Sequence, residues 1–539
     1  YTFFSALLRF VPILGIYVYP GDDAKMHSLL AKLIVENNGY PLSWGNYAPP
    51  SEAESPVVYP VGFHSIIAFV FYIIGGRIPL AQLTLIITQI YNLLIVLSTY
   101  YLAKQLLNKT IGITSALVLG LVSPIPLLFF WWGGNAELAA NFIFLTLASI
   151  LLLGDYESTK KLILIMILLA GIFYINVLTG AITLILVLLP LTVSLLVKGK
   201  TRSLRNILIA VGGAITLFLS YYYRSIYVIL TPYKQAFIDH FSYIWWQHDQ
   251  LLARQYITQF YSLSYIFDIM YKLLGLVPLL ALFGLVFLWR RNPRVALLLI
   301  YWLAFLLLLH INGPNGVFFI KFPGWYIFVP GRMLLHTIYP LSILAGSFLA
   351  SLIPVKNANV KKSKRILAWL MPLLAISLLV NITFVNNYIF MIHAREDSPV
   401  TENDILAFRW IQENIPSTAT FFVTDADAGQ WIPVFTGRRV IPSFINFQGE
   451  AYVNMSFWNE VITISEVHIS KLNEALLSDP ESNETLYLLR KYGINYVYIG
   501  NKCIYDRVQL NPNALILSPH YELVYYKSGV YIFKIRYEV

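Results

Sequence analysis

The sequence predicts a polytopic α-helical membrane protein with a water-exposed α/β domain at its C-terminal end. Three observations predict it: composition, the recurrence of apolar runs, and the placement of basic residues. Hydrophobic residues make up 58% of 539 positions and charged residues only 12%, about half the charged share of a soluble globular chain. Runs of about 20 apolar residues, enough to cross a bilayer, recur along the first part of the chain. They include Ile78–Leu102, Leu162–Asn176 continuing into Ala181–Val197, and Arg332–Ile353. From Ser398 onward acidic residues appear regularly and apolar runs shorten, so the sequence divides into a membrane part, 1–395, and an external domain, 396–539.

Lys and Arg set the expected orientation. Five short connections are basic: Lys104 and Lys109; Lys160 and Lys161; Lys198 through Arg205; Arg290 through Arg294; and Lys356 through Arg365. The intervening ones, Trp131–Asn135, Asn176–Gly180, Thr231–Asp268 and Ile311–Pro330, are nearly free of them. The positive-inside rule puts the basic set in the cytoplasm. Two apolar stretches lie between the first hydrophilic loop and Lys104, and only one can cross without inverting every later loop. The shorter, Val61–Ile74, which carries His64, is therefore expected to lie on the outer surface. The result is about 11 spans, a cytoplasmic N-terminus, and external loops at 20–78 and 231–268. No charged leader precedes the first apolar run, so no cleavable signal peptide is expected. Arg9, inside that run, is expected to snorkel or to face other helices. The single cysteine, Cys503, excludes an internal disulfide.

Chemistry-bearing residues gather in the first loop. After Tyr19-Pro20-Gly21, the segment Asp22–Gly39 repeats apolar residues Leu29, Leu30, Leu33 and Ile34 at helical spacing. Asp22 and Asp23 fall at its start, where free amides and the helix dipole favour carboxylates. His27 follows Asp23 by four residues and shares its face. The loop returns to the membrane through Tyr59-Pro60-Val61-Gly62-Phe63-His64.

An acidic pair soon after the first span, surface helices in the same loop and a Tyr-Pro entry to the last of them together resemble the GT-C superfamily of membrane glycosyltransferases. Its members include protein O-mannosyltransferases, aminoarabinose transferases and oligosaccharyltransferase catalytic subunits. Pro330-Gly331-Arg332 through His336 resembles the family's donor-phosphate arginine segment. The signature WWDYG of oligosaccharyltransferases is absent from the C-terminal part, which argues against transfer of whole oligosaccharides to asparagine. The resemblance implies a sugar donor linked to a polyprenyl phosphate, with Asp23 (or Asp22) as general base. Arg332, Lys25, His27 and His64 are the candidates facing the phosphate. It also implies a plasma-membrane enzyme whose acceptor is a protein, lipid or glycan, with membrane lipids around it and no nucleic-acid partner.

No cofactor is assigned, and Mg²⁺ or Mn²⁺ stays open. Some relatives place a metal-binding acid in the second external connection, so Asn135 and Glu137 with Asp22 or Asp23 are candidates for Mg²⁺ or Mn²⁺. The competing reading, adopted here, is that Asn135 caps the next helix and Glu137 steadies its first turn. The loop 231–268 alternates aromatic and polar residues and is expected to lie at the membrane surface.

In the external domain, Glu402–Asn414 is expected to be an amphipathic helix with Asp404 on its polar side. Thr420–Thr424, Ile494–Ile499, Glu522–Tyr526 and Val530–Ile535 are expected strands, the last two joined through Lys527-Ser528-Gly529. Ile462–Leu477 and Thr485–Lys491 are expected helices, and Asp425–Gln430 a turn. Asn454 and Asn483 open glycosylation sequons. A transporter or flippase of a lipid-linked glycan would show two related halves with broken, charged spans, and no such repeat is visible. A non-catalytic assembly protein would need fewer spans.

Overall fold

The computed structural model describes residues 2–20, 22–47, 57, 59–123, 134–154, 156–230, 276–312, 330–353, 392, 395–424, 427–441, 472, 474–504 and 509–537. For residues 2, 22, 223–230, 310–312 and 330–332 only the backbone is described. The loop 231–268, the basic segment 356–365, the sequon at Asn454 and most of Ile462–Leu477 lie outside the described residues.

Helices dominate the first part. In order they are α1 (Thr2–Phe10), α2 (Asp22–Glu36), α3 (Gly62–Ile73), α4 (Leu80–Leu106) and α5 (Lys109–Leu117, extended by a π turn, Val118–Val122). Next come α6 (Asn135–Leu152), α7 (Thr159–Ile175), α8 (Val177–Val197), α9 (Thr201–Leu230), α10 (Val277–Arg291) and α11 (Pro293–Asn312). The described part of the bundle ends with α12 (Pro330–His336) and α13 (Ile338–Leu352). Five described stretches are long and apolar enough to cross a membrane: Leu80–Leu106, Asn135–Leu152, Val177–Val197, Thr201–Tyr222 and Met333–Leu352. Helix α3 has 12 residues, about 18 Å of length against a hydrocarbon core of about 30 Å. It is too short to cross.

Local chemistry sets the boundaries. Asn108 caps α5 by accepting from Ile111 N, and Asn176 separates α7 from α8 by accepting from Thr179 N. The expected run Arg332–Ile353 is broken at Thr337. Pro340 has no amide to donate, and its ring crowds the carbonyl of His336 four residues earlier. Close packing holds the bundle. A Cβ on Gly284 of α10 would lie 1.8 Å from Leu344 O of α13, so those backbones touch.

The C-terminal part contains helix α14 (Glu402–Asn414), β1 (Thr420–Phe422), α15 (Ile432–Thr436) and β2 (Arg439–Ile441). It continues with α16 (Asn483–Lys491), β3 (Tyr496–Ile499), α17 (Pro512–Ile516), β4 (Tyr521–Lys527) and β5 (Val530–Ile535). The strands form one mixed sheet in the order β2-β1-β3-β5-β4. The β2-β1-β3 portion is parallel and the β3-β5-β4 portion antiparallel, with Phe421 opposite Val440 and Tyr496, and Tyr498 opposite Ile532. Ser528 and Gly529 both have positive φ, 46° and 89°. That is the backbone a two-residue hairpin turn requires.

Alternation of side chains gives the sheet two covered faces. Phe422, Val497, Ile499 and Phe533 pack on one side with Leu488 and Leu489 of α16. Phe421, Val423, Tyr498 and Ile532 join a second cluster, shared with Phe408 and Ile411 of α14 and with Leu29, Leu30 and Leu33 of α2. The helix carrying Asp22 and Asp23 is thus continuous with the core under the sheet.

One expectation fails here. Asp404 is fully buried, not on a polar outer face. It completes a capping box with Thr401 at the start of α14 and accepts from Tyr498 OH at 2.7 Å and Asn501 N at 3.2 Å.

Candidate functional site

The first turn of α2 carries Asp22 and Asp23, and Asp23 and Lys25 are both half-buried. The helix starts there because the chain leaves α1 through a 3-10 turn, Val11–Ile13, and reaches Pro20, which carries no amide to extend a helix. One turn past Asp23, His27 points inward: it is 2% exposed, and its Nδ1 lies 2.8 Å from His64 Nε2.

His64 comes from α3. The Tyr59–Gly62 entry places it, for a reason specific to glycine: a Cβ on Gly62 would stand 2.8 Å from the carbonyl oxygen of Tyr174 at the end of α7. Only a residue without a side chain lets α3 seat there. The two imidazoles stack at 5.1 Å between ring centres, with Tyr59 and Phe63 edge-on around them. One proton is shared between the facing nitrogens. Burial, and then the nearby His27, hold His64 well below the usual histidine range, although the carbonyls of Pro60 and Val61 favour its charged form. The contact joins α2 to α3 by a hydrogen bond between the two rings.

Glu137 lies in the first turn of α6, 2% exposed, and its Oε1 accepts from His336 Nε2 at 2.7 Å. The capping role expected of Asn135 does not hold. The cap of α6 is Gly134, without a side-chain bond, and the buried Asn135 amide has no hydrogen-bond partner among the described residues. Among these residues no three His, Cys, Asp or Glu side chains converge on a metal-sized space. Arg332 begins the same short helix, α12, that ends in His336.

Sequence reasoning missed Lys32. Three turns along α2 from Asp22, its ammonium donates to the carbonyls of Pro433 (2.8 Å) and Val434 (3.0 Å) in α15. Glu36 lies 3.9 Å away and itself accepts from Tyr47 OH at 2.8 Å. Burial lowers Lys32 to about 8, against the opposing pull of Glu36. Arg439 Nε adds a bond of 2.9 Å to Asn46 O. The helix with the two aspartates is thus held by α3 on one side and by the sheet domain on the other. No local signal marks Lys32, because its partners are 401 and 402 residues away.

Several solved structures share this architecture. The Archaeoglobus fulgidus oligosaccharyltransferase aligns over 92% of this chain and 67% of its own, with a TM-score of 0.57 and 12% identity. ArnT from Cupriavidus metallidurans, solved with undecaprenyl phosphate, aligns over 98% and 96%, with a TM-score of 0.55 and 12% identity. The arabinofuranosyltransferase AftD from Mycobacteria aligns over 99% of this chain and 39% of its own, with a TM-score of 0.55 and 12% identity. This chain therefore spans well under half of AftD. No curated protein matches the sequence. The fold is shared with these three structures, and the model of one sequence family, described as the family of unknown function DUF6541, matches residues 17–536. The chain belongs to that family.

Proposed function

We propose that this protein is a membrane glycosyltransferase that moves a sugar from a polyprenyl-phosphate donor to an acceptor hydroxyl at the outer membrane face. The observation that carries the reading is the place of Asp23: in the first turn of a helix that directly follows the first apolar segment, within a GT-C fold. That two of the similar structures hold undecaprenyl phosphate or dolichol-phosphate supports a lipid-phosphate donor.

In the reaction, the acceptor O–H gives its proton to the Asp23 carboxylate as the oxygen bonds to the anomeric carbon. The bond from that carbon to the phosphate oxygen breaks, and the lipid leaves as a polyprenyl phosphate. Its growing charge needs positive charge or hydrogen-bond donors nearby, for which Arg332 and Lys25 are the cations. The His27–His64 contact orients the face of α2 on which Asp23 stands. Asp22 is the alternative base.

Asp23→Asn keeps the side chain's size and most of its capping ability while removing its basicity. Turnover with a polyprenyl-phosphate sugar should fall by about 10²–10⁴-fold, with thermal stability unchanged. Near-normal transfer by Asp22→Asn and Asp23→Asn alike, with a donor the wild type accepts, would sink the mechanism.

A further inference from the structure

Glu137 and His336 are 199 residues apart and meet at 2.7 Å, with exposures of 2% and 1%. One proton bridges Glu137 Oε1 and His336 Nε2. Either group left alone at such depth would be a buried polar group without its partner, a costly arrangement. The contact therefore ties the first turn of α6 to the last residue of α12.

Helix α12 has seven residues and meets α13 at Thr337, whose backbone stays helical at φ −63° and ψ −20°, while Pro340 leaves the His336 carbonyl without the amide of the next turn. Met333, Leu334 and Leu335 are buried, which holds one flank by packing. Packing of flexible side chains fixes position less sharply than a directed hydrogen bond. Arg332 stands one turn before His336 on this helix.

We propose that Glu137 and His336 form a clasp that sets the position of α12, and with it the approach of Arg332 to the donor phosphate. Glu137 is then a positioning residue that acts through His336, not a metal ligand. The proposal rests on the glycosyltransferase reading above for the phosphate, but the clasp itself can be tested without it.

The experiment uses the full chain in phosphatidylcholine nanodiscs and takes two readings. One is binding of undecaprenyl phosphate by native mass spectrometry, with and without Mn²⁺. The other is hydrogen–deuterium exchange of the α12 peptide. Glu137→Ala and His336→Ala should each weaken lipid binding by about 10- to 100-fold, the range a small misplacement of a binding group produces. Both should speed exchange in α12, and the double variant should be no worse than either single one. Glu137→Gln, which can still accept from Nε2, should recover most of the binding, and it serves if an alanine variant does not fold. Unchanged α12 exchange in Glu137→Ala and His336→Ala overturns the clasp, whatever the lipid does. Manganese-enhanced binding that Glu137→Ala abolishes overturns it in favour of a metal ligand. A wild type that binds no lipid phosphate overturns the donor reading and the role given to Arg332, and the exchange of α12 then shows whether the clasp survives as structure alone.

Discussion

Arg9 in the helical bundle and Asp404 under the sheet carry opposite charges and are almost equally buried, at 2% and 0% exposure. Among the described residues neither has an ion-pair partner; each is neutralised by dipoles. Arg9 donates from Nε to Asn92 O and Oδ1 at 3.1 and 3.0 Å, and from Nη1 to Ser5 Oγ at 2.8 Å and Gly120 O at 2.9 Å. Asp404 accepts from Thr401 N at 2.8 Å and Thr401 Oγ1 at 2.5 Å, besides Tyr498 and Asn501. The difference follows from where each backbone has spare capacity. A helix interior uses every N–H, but its carbonyls keep a second lone pair, so it can solvate a cation. A helix start has free N–H groups, so it can solvate an anion. The bundle therefore hides a cation within α1 and the sheet domain hides an anion at the start of α14.

This contrast predicts unequal costs of deletion. Asp404→Ala leaves buried donors with nothing to bond, and should cost about 3–5 kcal/mol, seen as early loss of the sheet domain's thermal transition. Arg9→Met leaves carbonyls that already serve their own helices, and should cost less, about 1–3 kcal/mol, by thermal shift in detergent. The reverse order would break the comparison.

Asp427 sharpens it. Its carboxylate accepts from Gly429 N (2.8 Å), Gly500 N (2.7 Å) and Gln509 (3.2 Å), yet burial outweighs these bonds and raises it to about 6. The folded state then takes up a proton more readily than the unfolded chain, whose carboxyl stays near 4. This group's contribution to stability therefore rises as pH falls from 7 through 6 toward 4, and is lost as pH rises through 6. The stability difference between wild type and Asp427→Asn should shift by about 1–3 kcal/mol between pH 7 and 4, and a flat difference would count against the burial argument.

Lys32 gives an effect of the opposite sign. Lowered to about 8 when folded, it leaves the unfolded chain holding more protons between pH 8 and the usual lysine value, so stability should rise across that window. Lys32→Met should lack the rise, a difference of about 1–3 kcal/mol.

Much of the fold was legible because hydrophobic burial writes itself locally. The runs that became α4 and α13, the Asn176 break and the Ser528-Gly529 hairpin could all be read from spacing and turn chemistry. The expected strands at Thr420, Ile494, Glu522 and Val530 match β1, β3, β4 and β5 to within a few residues. Asp404 was misread because an aspartate three residues after a threonine can be a solvated helix face or a buried capping box. Only the distant Tyr498 decides between them. At the candidate site, the sequence singles out Asp23, His27, His64, Glu137 and Arg332 one by one, and the two contacts His27–His64 and Glu137–His336 come only from the structure. His27 with His64 spans 37 positions and Glu137 with His336 spans 199. No periodicity reports a contact between helices whose packing depends on the whole bundle.

The bond from Lys32 to α15 has a consequence for biosynthesis. A ribosome makes the aspartate helix well before its carbonyl partners at Pro433 and Val434, which emerge some 401 residues later. During translation the helix must therefore wait, inserted beside a growing bundle, without the contact that finally fixes it. A chain arrested before the sheet is complete would carry Asp23 on a helix lacking this contact, so assembly itself withholds the final placement of that helix until the sheet has folded.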